Sequence, residues 1–158
     1  MRHSRLIALA MLAALPISAA RAQTDDSKVT YIAATAVKAA FEEGRAIVEV
    51  DDYKIHASRR EGPGKAEIHT RDTDIAYVLQ GSATLVTGGI PTDLKPTAEE
   101  ELRGSGIDGG ETRRLQPGDV VIIPNGIPHW FKEASSPFLY YVVKVRQARR
   151  QLAVEVKP

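Results

Sequence analysis

The 158-residue chain contains no cysteine. That absence excludes disulfides, thiolate metal sites, a cysteine nucleophile and lipid attachment through an N-terminal cysteine. An excess of charge is missing as well. With 21 basic residues against 20 acidic ones and no basic run, nothing electrostatic argues for nucleic acid or an anionic membrane surface as a partner. No G-x-S-x-G elbow and no histidine pair at helical metal spacing occurs, so serine-based hydrolysis has no support. The glycines at 104, 106, 109 and 110 lack a preceding strand and a following helix, which rejects a dinucleotide fingerprint. No internal repeat is visible.

What is present begins with a leader. Arg2 and Arg5 precede an apolar stretch of 12 residues, Leu6 to Ile17, and Ala20-Arg21-Ala22 offers a small-x-small cleavage site. This order reads as a secretory signal peptide over residues 1–22, cleaved after Ala22 and directing the protein to the periplasm or outside the cell. Twelve apolar residues are too few to span a bilayer, so no membrane association is expected after cleavage. Residues 23–158 then suffice for one compact domain and leave no room for a second.

Within that domain, Thr35 to Glu43 is rich in helix formers and stops at Gly44, a natural left-handed cap. From Ala46 onward short β-branched and aromatic runs alternate with turns. The runs cover 46–50, 53–60, 65–70, 74–80, 82–87, 112–116, 119–124, 129–133 and 137–145. Their separators include Asp51-Asp52, Gly81, Pro117-Gly118 and Asn125-Gly126. Many short strands at even spacing predict an all-β sandwich or small barrel after one short N-terminal helix. Residues 88–111 break the rhythm with six glycines and two prolines; they read as a long inserted loop, a solvated excursion or a lid. Thr97 and Glu100 have capping-box spacing, which suggests a helical turn over 97–103.

The chemistry lies in two places. In "AEIHTRDTD", Glu67 and His69 are two residues apart on an extended strand and project the same way, and Asp74 starts the next strand. In "GDVVIIPNGIPHWF", a buried-looking strand ends at Pro124 and a turn at Gly126 delivers His129. Imidazole and carboxylate from separate strands suit one divalent transition metal (iron, manganese, zinc or nickel) and leave coordination positions open.

These segments resemble the cupins. Gly118, Pro124, Gly126 and His129 match that family's second motif of glycine, five residues, proline, one residue, glycine, two residues and histidine. The family pattern would close with asparagine where this chain has Glu133. In the first motif, reading Gly81 as the closing glycine puts Asp74 at the glutamate position, His69 at the second histidine and Glu67 at the first. The resemblance covers roughly residues 64–145. It implies a small antiparallel β-barrel of jelly-roll type with one metal inside, often as a homodimer. Carried over by position, His69, Asp74 and His129 look like metal ligands, with Glu67 a fourth ligand or general base. Such a protein would act on, or simply bind, a small oxygenated organic molecule; as an enzyme it would be a metal-dependent oxygenase or an isomerase or lyase.

Other residues carry weaker signals. Arg71 follows His69 at strand spacing and could grip a substrate carboxylate, or pair with Asp72 as a turn residue. His56 could face the interior or solvent, since its register is not fixed. Trp130 alternates to the face opposite His129 and reads as packing or interface.

Overall fold

The computed structural model describes residues 28–147; the expected leader lies outside them. Helix α1 (Ala34–Glu43) ends as its sequence indicates. Gly44 takes a left-handed φ of 67° and donates its N–H to Ala40 O at 2.8 Å. Edge-on contact of Phe41 with Tyr141, at 4.9 Å between ring centroids, docks the helix.

The remaining described chain is strand-rich. β1 (Ala46–Glu49), β2 (Tyr53–Arg60), β3 (Ala66–His69), β4 (Asp72–Gln80) and β5 (Ala83–Thr87) come before the insertion. β10 (Glu111–Leu115), β11 (Val120–Ile123), β12 (His129–Ala134) and β13 (Phe138–Arg146) follow it. The insertion itself is not an irregular loop. It holds four short strands, β6 (Ile90–Thr92), β7 (Lys95–Ala98), β8 (Glu101–Gly104) and β9 (Gly106–Asp108). The helical turn suggested for 97–103 does not form. Pairing of β8 with β3, Glu67 opposite Arg103 and His69 opposite Glu101, overrides the local capping signal, and Glu100 turns the chain with a φ of 66°.

Two sheets face each other. One has the order β1-β2-β13-β4-β11, the other β10-β5-β12-β3-β8-β7, and β6 pairs with β9 as a separate ribbon. The sheets do not form the closed jelly-roll β-barrel that the resemblance implies. Both large sheets end in edge strands, and among the described residues no ladder joins them. One reason is legible at β7, where Pro96 lacks an N–H and the whole strand is exposed, the usual placement of proline at a sheet margin. Tight turns carry the chain from sheet to sheet. Between β4 and β5, Gly81 adopts a φ of 81°, and a Cβ there would stand 2.2 Å from Ser135 Oγ and 2.5 Å from Pro137 O, so only glycine fits.

The inner faces meet over Ala76, Val78, Leu85, Leu115, Ile123, Phe131, Phe138, Tyr140 and Val142. Phe138 is completely buried, with Phe131 and Tyr140 at centroid distances of 5.7 and 5.0 Å. A second cluster lies on the outer face of the six-stranded sheet, where Ala66, Val86 and Ile107 pack with Trp130. The insertion therefore divides: β7 and β8 extend the six-stranded sheet, and the β6–β9 ribbon folds back over its outside. Its ribbon strand β9 lies over β12, with Gly106 close to the indole ring.

Candidate metal centre

Three donors converge on the inner face of the six-stranded sheet. β3 contributes Glu67 and His69 by two-residue alternation, and β12 brings His129 opposite Glu67. The connection before His129 is tied to the end of β3: Gly126 N donates to His69 O at 2.8 Å, and Asn125 Nδ2 donates to Thr70 O at 3.2 Å. This is why the Pro124-to-Pro128 turn delivers its imidazole next to His69. The ring centroids of His69 and His129 are 5.1 Å apart, and both residues are buried.

Glu67 lies between the imidazoles. Its Oε2 is 3.7 Å from His69 Nε2 and 3.9 Å from His129 Nε2. Its Oε1 faces two guanidiniums, with Arg60 Nη2 at 3.7 Å and Arg103 Nη1 at 3.6 Å. One carboxylate oxygen is thus given to fixed cations and the other to the histidines. His129 Nδ1 lies 3.2 Å from Ile127 O. A carbonyl oxygen can only accept, so that nitrogen carries the proton and Nε2 keeps its lone pair. Burial, followed by the neighbouring His69, holds the His129 pKa below the ordinary histidine value, which favours the neutral, ligand-competent ring.

Asp74 sits in a different arrangement. It is on the facing sheet, opposite Lys144 of β13. Phe138, Tyr140 and Val142 of β13 point into the core, and Lys144 continues that row by alternation. Its ammonium donates to Asp74 Oδ1 at 2.8 Å and Oδ2 at 2.7 Å, and to His69 Nε2 at 2.9 Å. Asp74 remains 3.5 Å from His69 Nε2 but lies outside the group formed by Glu67, His69 and His129, whose donor atoms all fall within 4.8 Å of one another.

That group fits a cation. Nitrogen and oxygen ligands at about 2.0–2.2 Å from one ion stand roughly 3.0–3.6 Å from each other in tetrahedral or cis-octahedral geometry. The two Glu67 spacings, 3.7 and 3.9 Å, lie just above that range and all three donors fall within 4.8 Å of one another, so closing on an ion takes side-chain rotation and release of His69 Nε2 from Lys144. A buried His/His/Glu cluster able to coordinate a metal ion is therefore present.

Residues 57–156 match the family described as cupin. The chain belongs to the cupin family. Because the match starts at residue 57, it lends no support to the leader or to the export expected from it. No curated protein matches the sequence significantly. Among solved structures, hydroquinone 1,2-dioxygenase from Sphingomonas sp. TTNP3, with 4-hydroxybenzoate bound, is 16% identical with a TM-score of 0.50, over 67% of this chain and 66% of that one. KdgF from Halomonas sp. gives 19% identity and a TM-score of 0.45, over 66% and 79%. A cupin-2 domain protein from Shewanella frigidimarina gives 21% and 0.43, over 65% and 79%. At these identities the similarity extends to the fold alone.

The other candidates of this cupin are placed elsewhere. Arg71 is committed to Glu100, with Nη1 2.8 Å from Oε1, and to Gln147 O, to which Nε and Nη2 donate at 3.2 and 3.1 Å. It braces the β3–β4 turn against the β7–β8 turn. Asp72 has Arg146 beside it instead, at 3.5 Å. His56 lies on the core-facing row of β2, opposite Val142, with Nδ1 3.2 Å from Ser58 Oγ. Burial, then Lys54 and Lys144, holds its pKa low. His56 does not join the donor group.

Four residues around the cluster escaped the sequence reading: Lys144, Arg60, Arg103 and Glu101. Two had a signal. Arg60 shares the alternating row of His56 and Ser58, and Lys144 closes the apolar row of β13. Arg60 Nε donates to the Tyr140 hydroxyl at 3.0 Å, and its guanidinium lies 4.5 Å from the Phe131 ring centroid. Arg103 and its partner Glu101 come from the insertion, and no local pattern in 88–111 could have placed them opposite β3.

Proposed function

We propose that this cupin holds one divalent transition metal on Glu67, His69 and His129 and takes a small oxygenated organic molecule beside it, between the two sheets. The observation that carries the reading is the convergence of two buried histidines and the half-buried Glu67 from β3 and β12. Cupin-fold proteins often bind small organic ligands, and the solved dioxygenase of similar fold holds 4-hydroxybenzoate.

When bound, the metal would supply Lewis-acid polarisation of a ligand oxygen or redox chemistry with dioxygen. The chain's own contribution is positional. Arg60 and Arg103 fix Glu67 so that Oε2 faces the histidines, where it can ligate or accept a proton from a bound hydroxyl. Ile127 O fixes the His129 tautomer. Neutral Tyr140, whose hydroxyl burial pushes toward higher pKa, presents an uncharged phenol under Arg60.

A second reading, a non-catalytic protein that captures a metabolite without metal, is favoured by one feature. Lys144, Arg60 and Arg103 already neutralise the buried carboxylates. Elemental analysis and titration with Zn(II) and Mn(II) of the full chain, beside His69→Ala and His129→Ala, separate the two. The metal reading expects one ion per chain, lost in both variants. No binding by the wild type even with added metal would leave the second reading.

A further inference from the structure

The ammonium of Lys144 occupies the position from which a cation would engage both His69 and Asp74. An imidazole nitrogen has one lone pair, and an ammonium has none. The 2.9 Å contact between Lys144 Nζ and His69 Nε2 is therefore a hydrogen bond donated by lysine, and it uses the lone pair that a metal would need. The same Nζ lies within hydrogen-bond distance of both oxygens of Asp74, at 2.8 and 2.7 Å. We infer that Lys144 is a built-in competitor of the metal: it withholds His69 and Asp74 from coordination, and its departure releases His69 Nε2 and recruits Asp74 as a fourth ligand.

The geometry supports both halves. Asp74 Oδ2 is already 3.5 Å from His69 Nε2, the spacing of two ligands sharing one ion. Lys144 is a long side chain at 18% exposure, entering from the sheet opposite the three donors, so it can swing away without disturbing Glu67 or His129. Two positive charges would otherwise lie a few ångströms apart, and their repulsion makes occupancy by ammonium and by metal mutually exclusive. The inference rests on the metal reading above and concerns what sets the affinity of that site.

The test is a titration of Zn(II) and Mn(II) against a competing chelator for wild type, Lys144→Met, Lys144→Met/Asp74→Asn and His129→Ala. Removing a charge-assisted hydrogen bond that competes with coordination should tighten binding about ten- to hundredfold in Lys144→Met, and Asp74→Asn should take part of that gain away. Should Lys144→Met be too unstable to purify, Lys144→Gln removes the charge but keeps a neutral amide donor for Asp74, and should tighten binding in the same direction by a smaller factor. Binding equal to or weaker than wild type in the Lys144 variant overturns the inference while leaving the metal reading intact, provided His129→Ala still abolishes binding. A gain that survives Asp74→Asn undiminished overturns the recruitment of Asp74. If only the Lys144 variants bind metal, competition is upheld and the native protein is not a metalloprotein. If no variant binds, both readings fall.

Discussion

Trp130 and His129 are neighbours in sequence on opposite faces of β12, and they should fail in different ways. Truncating Trp130 to alanine removes the indole from Ala66, Val86 and Ile107 and breaks the bond from its Nε1 to Gly64 O at 2.9 Å. Full burial of a Trp would make the loss about 3–5 kcal/mol. Trp130 is only partly buried, so about 2 kcal/mol of packing is the reasonable share. The orphaned carbonyl adds about 1 kcal/mol, giving roughly 3 kcal/mol in all. Trp130→Phe, which keeps most of the contact area, should lose roughly the hydrogen-bond share alone, about 1 kcal/mol. Because Trp130 is the chain's single tryptophan, unfolding in urea is best followed by circular dichroism, with amide exchange reporting the ribbon. Exchange should accelerate first in β6 and β9, while metal affinity stays within a few-fold of wild type. An unchanged midpoint, or loss of metal binding as complete as in His129→Ala, would refute the assignment of Trp130 to the outer cluster and of the β6–β9 ribbon to the sheet's outside.

Two further outcomes follow from the interior. Phe138→Ala empties a fully buried site between two aromatic rings and should cost about 3–5 kcal/mol in denaturant unfolding; a loss below about 1 kcal/mol would mean that the sheets do not meet there. Burial depresses the folded-state pKa of His129 and His56 below the ordinary 6.5, so the unfolded chain takes up protons first on acidification. Their contribution to stability is complete above about pH 6.5 and is lost as pH falls from there through the depressed folded values. The metal-free protein should therefore show a unfolding free energy that declines below that pH, more shallowly in His129→Gln. Stabilisation on acidification through this range would contradict the burial of these rings.

The local elements were legible because each carried its own signal. Alternation and turn residues mark β2 over 53–60 and a last strand over 137–145, one residue off the observed β13, and Gly44 marks the end of α1. The cupin motif placed His129 after its turn. Closure of the sheets was not legible, since strand signals report pairing capacity and not whether the two margins of a sheet find each other. The strands of the insertion are not legible, because the ladder that makes β8 a strand is held by β3, some 35 residues away; within 97–103 the sequence shows only the capping spacing. Lys144 and Arg60 were missed for another reason. Alternation gave the face on which each lies, but a cation on an interior face is chemically meaningful only once the carboxylate across the gap is known.

That pairing changes the electrostatic argument for a metal. Glu67 and Asp74 beside His69 would ordinarily demand a compensating cation, because buried carboxylates without partners are costly. Here the chain supplies its own. Lys144 takes Asp74, Arg60 and Arg103 flank Glu67, and Arg103 also holds Glu101. Three cations answer three carboxylates, so the folded state does not depend on an ion for its charge balance, in contrast to small domains that fold only when metal binds. The buried acids alone are thus weak grounds for metal. What argues for it is the arrangement of donors. His129 Nε2 and Glu67 Oε2 lie 3.9 Å apart with His129 Nδ1 engaged by Ile127 O and Glu67 Oε1 facing Arg60 and Arg103, while the His69 lone pair is taken by the Lys144 side chain. Charge balance alone does not require two imidazoles and a carboxylate oxygen to gather within 4.8 Å.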